Sequence, residues 1–164
     1  MIDLGRFEEC VCRRKGVPNV LCEDNLILEE KGIKVRLSLR TGEEAKALVI
    51  DQCVCQDDDL KCDGMFLYRR KSRHWMIMVE LKGSNIEHAF KQLAYMKHNR
   101  PEHNEIEQLF AAGQNGAMCH QAYIVSNCTL STVQQQKLEH FYNIRIKKIL
   151  HSEATKPIPD IRPV

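Results

Sequence analysis

The sequence lacks an apolar run long enough to cross a bilayer, and its first ten residues lack the basic-then-apolar layout of a secretory signal. It has no internal repeat, no low-complexity tract and no linker rich in proline or glycine. These absences argue against a membrane protein, a repeat protein and a chain of several domains. We therefore expect one domain over residues 1–164, in the cytoplasm and without a membrane partner.

Cysteine is abundant, with eight residues in the chain. In a short secreted protein this number would indicate a disulfide framework, but a chain of this length can bury a core without one. Two Cys-x-Cys pairs, beginning at Cys10 and Cys53, are each followed by a third cysteine. The one-residue gap is shorter than the usual gap between paired zinc ligands. We expect reduced, buried thiols, with a zinc or iron–sulfur site as the less favoured alternative.

Positive charge is concentrated in the middle of the chain, although the net charge is only +2. Between Met65 and Arg100 eight basic residues face two acidic ones. Such an excess attracts a polyanion, while a solvated turn explains the run from Arg69 to Arg73 equally well. The candidate nucleic-acid contacts are Arg69, Arg70, Lys71, Arg73, Lys91 and Tyr95.

Hydrophobic patterning predicts an α/β order in which most strands precede the first long helix. The run Trp75 to Val79 is apolar without interruption, which is typical of a central strand covered on both faces. The basic residues before it would form a hairpin to the preceding strand. The other predicted strands are residues 26–28, 33–39, 47–50, 65–68, 122–125 and 144–150.

Helix signals follow the central strand. Ser84 to Glu87 matches a capping box, which predicts a helix from there to about His98. Ser131 is expected to cap a helix whose buried face carries Leu138, Phe141 and Tyr142. Weaker signals predict short helices over residues 4–14 and 105–112. The segment 152–164, which contains Lys156-Pro157-Ile158-Pro159, is expected to be an extended surface tail.

The residues with the strongest chemical signal lie on either side of the basic hairpin. Because side chains alternate along a strand, Glu80 and Lys82 leave one face of the sheet and Leu81 leaves the other. If the two strands of the hairpin are antiparallel neighbours, Asp63 comes level with Glu80. Two carboxylates and a lysine then converge at one edge of the sheet.

Such a group of side chains is suited to a hard divalent cation and a phosphate. Mg²⁺ and Mn²⁺ take oxygen ligands, with water and substrate phosphate completing the shell. We predict Asp63 and Glu80 as metal ligands and the backbone carbonyl of Leu81 as a further ligand. Lys82 would orient the attacking water or stabilise the charge of the transition state. The alternative without function is a salt bridge between Glu80 and Lys82 at the end of a strand.

With Asp63 and the motif Glu80-Leu81-Lys82, the chain resembles the PD-(D/E)XK, or restriction-endonuclease-like, nucleases. Their pattern is an aspartate at the start of one strand and Glu/Asp-x-Lys on the next. The usual proline before the aspartate is Cys62 here. The resemblance covers about Ala47 to Val125. It implies a mixed central sheet of about four core strands flanked by helices, within residues 47–150, to which the N-terminal β-hairpin is an addition.

The resemblance also implies further site residues. Some branches carry a Gln-x-x-x-Tyr pair in the helix after the lysine. Here Gln92 and Tyr95 are one residue closer together, and Gln92 is the candidate catalytic residue. Many members add an acidic residue from another helix, for which Glu8, Glu9 and Glu23 are the candidates. Turn formation accounts for the acidic run of residues 57–59.

The expected function is therefore a Mg²⁺- or Mn²⁺-dependent nuclease that hydrolyses phosphodiester bonds, in DNA rather than RNA. A homodimer is expected, since cleavage of a duplex needs two sites. The alternative is a catalytically inactive module that retains the nuclease fold and binds nucleic acid or a partner protein, because a fold alone does not establish activity.

Overall fold

The computed structural model of the protein describes residues 1–153 and 157–164. A 3₁₀ helix at Gly5–Cys10 precedes a three-stranded antiparallel sheet in the order β1-β2-β3. A second, five-stranded sheet has the order β4-β5-β6-β7-β8. The elements are β1 (Cys22–Asp24), β2 (Ile27–Glu30), β3 (Ile33–Arg36), β4 (Glu43–Val49), β5 (Gly64–Arg70), β6 (Arg73–Leu81), α1 (Ile86–Asn99), α2 (Pro101–Ala111), β7 (Ala117–Ser126), α3 (Thr132–Tyr142) and β8 (Lys148–His151).

The five-stranded sheet is mixed, as expected, and β6 is its central strand. Strands β4, β5 and β6 are antiparallel neighbours, whereas β6 pairs with β7 and β7 with β8 in parallel. Eight of the nine residues of β6 are buried. The continuous apolar run predicted this position, because a central strand is covered on both faces. The α/β class is confirmed, with one strand more than the four expected and with a third strand added to the N-terminal hairpin.

The two faces of the large sheet pack against different elements. On one face Met76 and Met78 contact a core that includes Phe90 and Leu93 of α1. On the other face the aromatic and β-branched residues of β5 and β6 pack with the three-stranded sheet. Leu81 belongs to the second core, so the alternation of side chains places Glu80 on the α1 face.

Two predictions about helices need correction. The N-cap of α1 is Asn85, whose side chain accepts a hydrogen bond from the His88 N–H at 3.2 Å, so the capping box from Ser84 to Glu87 is wrong by one residue. The capping box of α3, formed by Ser131 and Gln134, is present as expected. The predicted buried face of α3 is wrong for Phe141, which is 75% exposed, whereas Leu138 and Tyr142 are half-buried and pack against the core.

The expectation of reduced thiols is wrong for four cysteines. The chain forms disulfides Cys10–Cys53 and Cys12–Cys22, whose Cα atoms lie 5.7 and 5.5 Å apart. The physical reason is tertiary: the 3₁₀ helix leads Val11 into a bridge with Leu48, which places the flanking cysteines beside other segments. The other four cysteines, Cys55, Cys62, Cys119 and Cys128, are free. Disulfides are typical of oxidising compartments and do not support the predicted cytoplasmic location, which stays a prediction.

The tail is extended, as expected, but it packs against the fold. Arg36 of β3 donates its N–H to the Pro159 carbonyl at 2.9 Å and accepts a hydrogen bond from the Ile161 N–H at 2.9 Å. The Ile161 side chain is buried. Lys156 lies outside the described residues. In the described ranges no helix is long and apolar enough to span a membrane.

Candidate functional site

The antiparallel register of β5 and β6 brings the two candidate carboxylates side by side. Gly64 lies opposite Val79, so Asp63 comes level with Glu80 at the next step of the ladder. The Asp63 N–H donates to Glu80 Oε1 at 2.9 Å, and the Leu81 N–H donates to Asp63 Oδ2 at 2.8 Å. The predicted register is therefore confirmed, and both carboxyl groups lie at one edge of the sheet.

Both carboxyl groups are buried without a neutralising partner. Asp63 is 6% exposed and Glu80 is 1% exposed. Within residues 1–153 and 157–164 neither forms an ion pair with lysine, arginine or histidine. Burial raises the pKa of Asp63 to about 7, helped by the charge of Glu30. Burial and the neighbouring Asp63 raise the pKa of Glu80 well above its ordinary value. Two adjacent buried carboxylates repel each other, and a bound cation would relieve that repulsion.

Lys82 comes directly after Leu81, at the same end of β6 as Glu80. Its N–H donates to the Val125 carbonyl at 2.8 Å, which extends the pairing of β6 with β7 beyond Leu81. Its side chain is half-buried, and its charge opposes the rise in the pKa of Glu80. The described residues contain no Glu80–Lys82 ion pair. The lysine thus acts on the carboxylate through its field, and its ammonium group is free to contact a ligand.

Gln92 of α1 reaches the segment that leads into Asp63. Its Nε2 donates to the Lys61 carbonyl at 3.3 Å, while its Oε1 is buried and has no partner in the described part of the chain. This leaves one hydrogen-bond acceptor available beside the site. Of the other candidate residues on α1, Lys91 is exposed and Tyr95 is half-buried.

Two further acidic residues lie near Asp63, and the first of them was not predicted to belong to the site. Glu30, at the end of β2, and Asp51, just after β4, line the same cleft as Asp63. This Asp63 cleft has a volume of about 450 Å³ and is also lined by residues 19–21, 29, 31 and 52. Glu30 comes from the other sheet, so no local spacing in the sequence could have indicated it.

A second cleft opens on the other side of the β2–β3 turn. This Lys82 cleft, of about 390 Å³, is lined by Lys82, Gly83 and Asn127 together with Glu30 and Lys31. Lys31 and Glu30 therefore line both clefts. The turn between β2 and β3 therefore lies between the two clefts, and Glu80 lines neither of them.

The acidic residues implied by the resemblance lie elsewhere. Glu8 accepts hydrogen bonds from Lys46 at 2.7 and 2.9 Å. Glu23 pairs with Lys34 at 3.4 Å. Glu9 is an exposed residue of the 3₁₀ helix that contains Glu8. None of the three lines the Asp63 cleft or the Lys82 cleft.

The basic hairpin lies at the opposite end of the strands. Arg70 lies opposite Arg73 in the ladder, next to the turn. It is six residues along β5 from Gly64, a distance of about 20 Å at the usual rise of a strand. The structure therefore does not bring these residues to Asp63 and Glu80. The contacts at this end are an Arg69–Glu44 ion pair at 2.7 Å, a hydrogen bond from Arg70 to the Pro163 carbonyl at 3.1 Å, and the guanidinium groups of Arg70 and Arg73 at 5.1 and 5.0 Å from the Trp75 ring centroid.

The acidic run at residues 57–59 forms a connection, as predicted. Arg100 is buried and donates to both carboxylate oxygens of Asp57, at 2.7 and 2.5 Å, and to the Leu60 carbonyl at 2.9 Å. Arg100 is one of the eight basic residues of the central region. It is neutralised within the fold and is not available to a polyanion.

The chain matches no family model, no curated protein and no solved structure. Over the residues that the structure describes, no group of three or more His, Cys, Asp and Glu side chains is arranged to hold a metal ion. The site is thus a pair of carboxylates, Asp63 and Glu80, with a lysine beside them.

Proposed function

We propose that the protein is a Mg²⁺- or Mn²⁺-dependent nuclease that hydrolyses phosphodiester bonds in DNA. Asp63 and Glu80 hold the metal, and Lys82 assists the attacking water. The observation that carries this proposal is the pair of buried, adjacent carboxyl groups without a counter-ion, of which Asp63 lines a cleft. Structural carboxylates are normally paired when buried, whereas a site that binds a cation leaves them unpaired.

The donor set fits a hard cation. Asp63 Oδ2 and Glu80 Oε1 each accept one backbone hydrogen bond, which fixes the orientation of both carboxyl groups. Their other oxygens and the Leu81 carbonyl supply protein ligands. Magnesium needs only one or two carboxylates, because water and substrate phosphate complete its shell. A group of three acidic side chains is therefore not required.

The roles of the side chains follow from their positions. When bound, the metal lowers the pKa of a coordinated water and neutralises charge on the phosphate. Lys82 places a positive charge where the phosphate gains negative charge during attack. Gln92 Oε1, which has no partner among the described residues, accepts a hydrogen bond from the attacking water and orients it. Asp63 and Glu80 must be ionised to bind the cation, so protons compete with metal at the site.

DNA is the proposed substrate because two lysines flank the carboxylates. Lys31 and Lys82 both line the Lys82 cleft, where a strand of phosphodiesters would lie. Lys71, Arg73 and the α1 residues Lys91 and Tyr95 are proposed as more distant backbone contacts. A homodimer, with one site for each strand of a duplex, is part of the same proposal.

Cleavage assays test the proposal directly. Labelled single-stranded, duplex and branched DNA are incubated with the purified protein and Mg²⁺, Mn²⁺ or a chelator. We expect cleavage that requires metal and is lost in Glu80→Gln, which keeps the shape of the side chain and removes its charge. Glu87→Gln is the matched control, since Glu87 is an exposed glutamate of α1. Absence of cleavage on all three substrates with both metals would refute the proposal.

A second candidate is a catalytically inactive module that binds nucleic acid or a partner protein. It is favoured by the absence, from the described part of the chain, of a third acidic or histidine side chain arranged to share a metal with Asp63 and Glu80. A Mn²⁺ titration separates the two functions, because a ligand of the native state raises the melting temperature. The nuclease predicts a rise that Asp63→Asn removes, whereas the binding module predicts no rise.

A further inference from the structure

We infer that the two disulfides are positioning elements of the Asp63 cleft, each holding one of its walls. Opening them with a dithiol then weakens metal binding while the five-stranded sheet stays folded. The inference rests on the proposed function, because it makes the proposed metal site sensitive to thiols.

The first wall is the turn formed by residues 50–55. Asp51 and Gln52 of this turn line the cleft, and Cys53 ties it to Cys10 at the end of the 3₁₀ helix. The N–H groups of Ile50 and Asp51 both donate to the Asp63 carbonyl, at 3.0 and 3.2 Å. The turn is thus bonded directly to the backbone of a proposed metal ligand. A turn released from Cys10 would hold Asp63 less firmly.

The second wall is the loop that precedes β1. Its residues 19–21 line the cleft, and Cys22, the next residue, is joined to Cys12. Within the loop the Cys22 N–H donates to the Asn19 carbonyl at 3.0 Å, and the Gly16 N–H donates to the Cys22 carbonyl at 2.8 Å. The disulfide closes this loop at Cys22, and Leu21 adds a second tie, because it accepts a hydrogen bond from the Glu29 N–H at 2.9 Å and its side chain is buried. This wall touches no proposed metal ligand directly, so its loss affects access to the cleft more than the metal.

The four linked cysteines lie outside the elements that carry the chemistry. Strands β5, β6 and β7 contain none of them and are joined by continuous ladders. Each disulfide consumes one dithiol, which is oxidised to its cyclic disulfide as two cysteine thiols form. The nearby free thiols of Cys55 and Cys62 are buried, which keeps them away from exchange with the reduced cysteines.

Hydrogen exchange of the metal-free protein, before and after dithiothreitol treatment, tests the inference. We expect faster exchange in peptides covering residues 13–21 and 50–55, with β5, β6 and β7 still protected. On the same samples, the Mn²⁺ concentration that gives half of the thermal shift should rise roughly tenfold, the lower end for lost support of a metal ligand. Both changes should reverse on reoxidation.

Variants assign the effects to the two walls. Cys10→Ser/Cys53→Ser should reproduce the roughly tenfold change in the Mn²⁺ midpoint. Cys12→Ser/Cys22→Ser should leave that midpoint unchanged and accelerate exchange in residues 13–21 only. Cys119→Ser, which removes a half-buried free thiol, is the matched control and should respond to dithiothreitol as the wild type does.

Three outcomes would overturn the inference: eight free thiols in the purified protein, unchanged exchange after reduction, or loss of protection throughout β5, β6 and β7. The last would show that the disulfides stabilise the whole fold. If the oxidised protein does not bind Mn²⁺, the proposed function fails. The exchange pattern still decides separately whether the disulfides hold the cleft walls.

Discussion

The β5–β6 pair has charged residues at both ends, but only those at the hairpin end contact an oppositely charged or aromatic side chain in the described part of the chain. At the hairpin end Arg69 is paired with Glu44, and Arg70 and Arg73 lie against the ring of Trp75. At the other end Asp63 and Glu80 are more deeply buried and have no ion-pair partner in the described ranges. The number of charges in a region therefore does not identify a functional site, whereas buried carboxyl groups without an ion-pair partner make a region a candidate.

The largest expected effect is the free-energy cost of ionising the buried carboxyl group of Asp63. The pKa of Asp63 rises from 3.8 to about 7 in the folded protein, so the unfolded chain releases this proton first as the pH increases. Below about pH 4 the carboxyl is protonated in both states, and its stabilising contribution is lost as the pH rises to about 7. Without metal, Asp63→Asn should therefore exceed the wild type in stability by about 4 kcal/mol above that range.

Urea denaturation in chelator across this pH range measures the difference. The free energies of unfolding of the two proteins should converge near pH 4, at about the ordinary pKa of the side chain. If the free energies of unfolding of the two proteins differ by the same amount at every pH, the charge of Asp63 is neutralised within the fold. Both ends of the β5–β6 pair would then hold neutralised charges.

The next effect tests whether the hairpin end serves the fold. A Cβ added at Gly116 would overlap the Ser72 carbonyl in the hairpin turn, and backbone cannot move away as a side-chain end can. Gly116→Ala should lower the free energy of unfolding by about 3 kcal/mol, the upper part of the range for overpacking. Chemical denaturation measures this loss. At saturating DNA the rate of cleavage per folded molecule should stay unchanged, and a lower rate would mean that the hairpin takes part in the reaction.

Lys82→Ala should lower the rate of cleavage without lowering the stability of the fold, which is the opposite of the result expected for Gly116→Ala. Removing a cation that stabilises the transition state should lower kcat by roughly 100-fold with stability unchanged, because the side chain is only half-buried. Single-turnover cleavage gives the rate, and thermal unfolding checks the fold. Lys148→Ala is the control, since Lys148 is exposed in β8. Equal activity of the two variants would remove Lys82 from the mechanism.

The smallest effect is expected at Lys71. Among the described residues it has no hydrogen bond or ion pair, so it is available to contact a phosphate. Lys71→Ala should weaken DNA binding slightly and equally for all sequences, and reduce the slope of log Kd against log salt by about 1. Binding titrations at several salt concentrations measure the slope. An unchanged slope would leave the hairpin end without a part in binding.

The candidate site was predictable where its geometry is local. The alternation of side chains and one antiparallel hairpin suffice to place Asp63 beside Glu80, with Lys82 following on the same edge. The central position of β6 followed from its composition. The additional acidic residues were suggested only by the resemblance, and two of them, Glu8 and Glu23, lie in ion pairs elsewhere.

The remaining features depend on contacts between distant segments. Glu30 lines the same cleft as Asp63 only because the small sheet packs on the large one, and the disulfides form where the N-terminal segment pairs with β4. The face of α3 shows the same limit. Its apolar spacing is regular, but no pattern in the sequence states whether another element covers Phe141, and in the fold none of the described residues buries it.

Both described ends of the chain lie at the hairpin end of the strands. The N-terminal ammonium group is 3.7 Å from Glu44, which is opposite Arg69 in the sheet, and the Pro163 carbonyl is bonded to Arg70. An affinity tag, a fluorescent protein or a neighbouring domain attached at either terminus would therefore emerge far from the carboxylates. Such fusions should leave the opposite edge open to a long polymer, which allows the protein to be immobilised for single-molecule work without blocking the clefts.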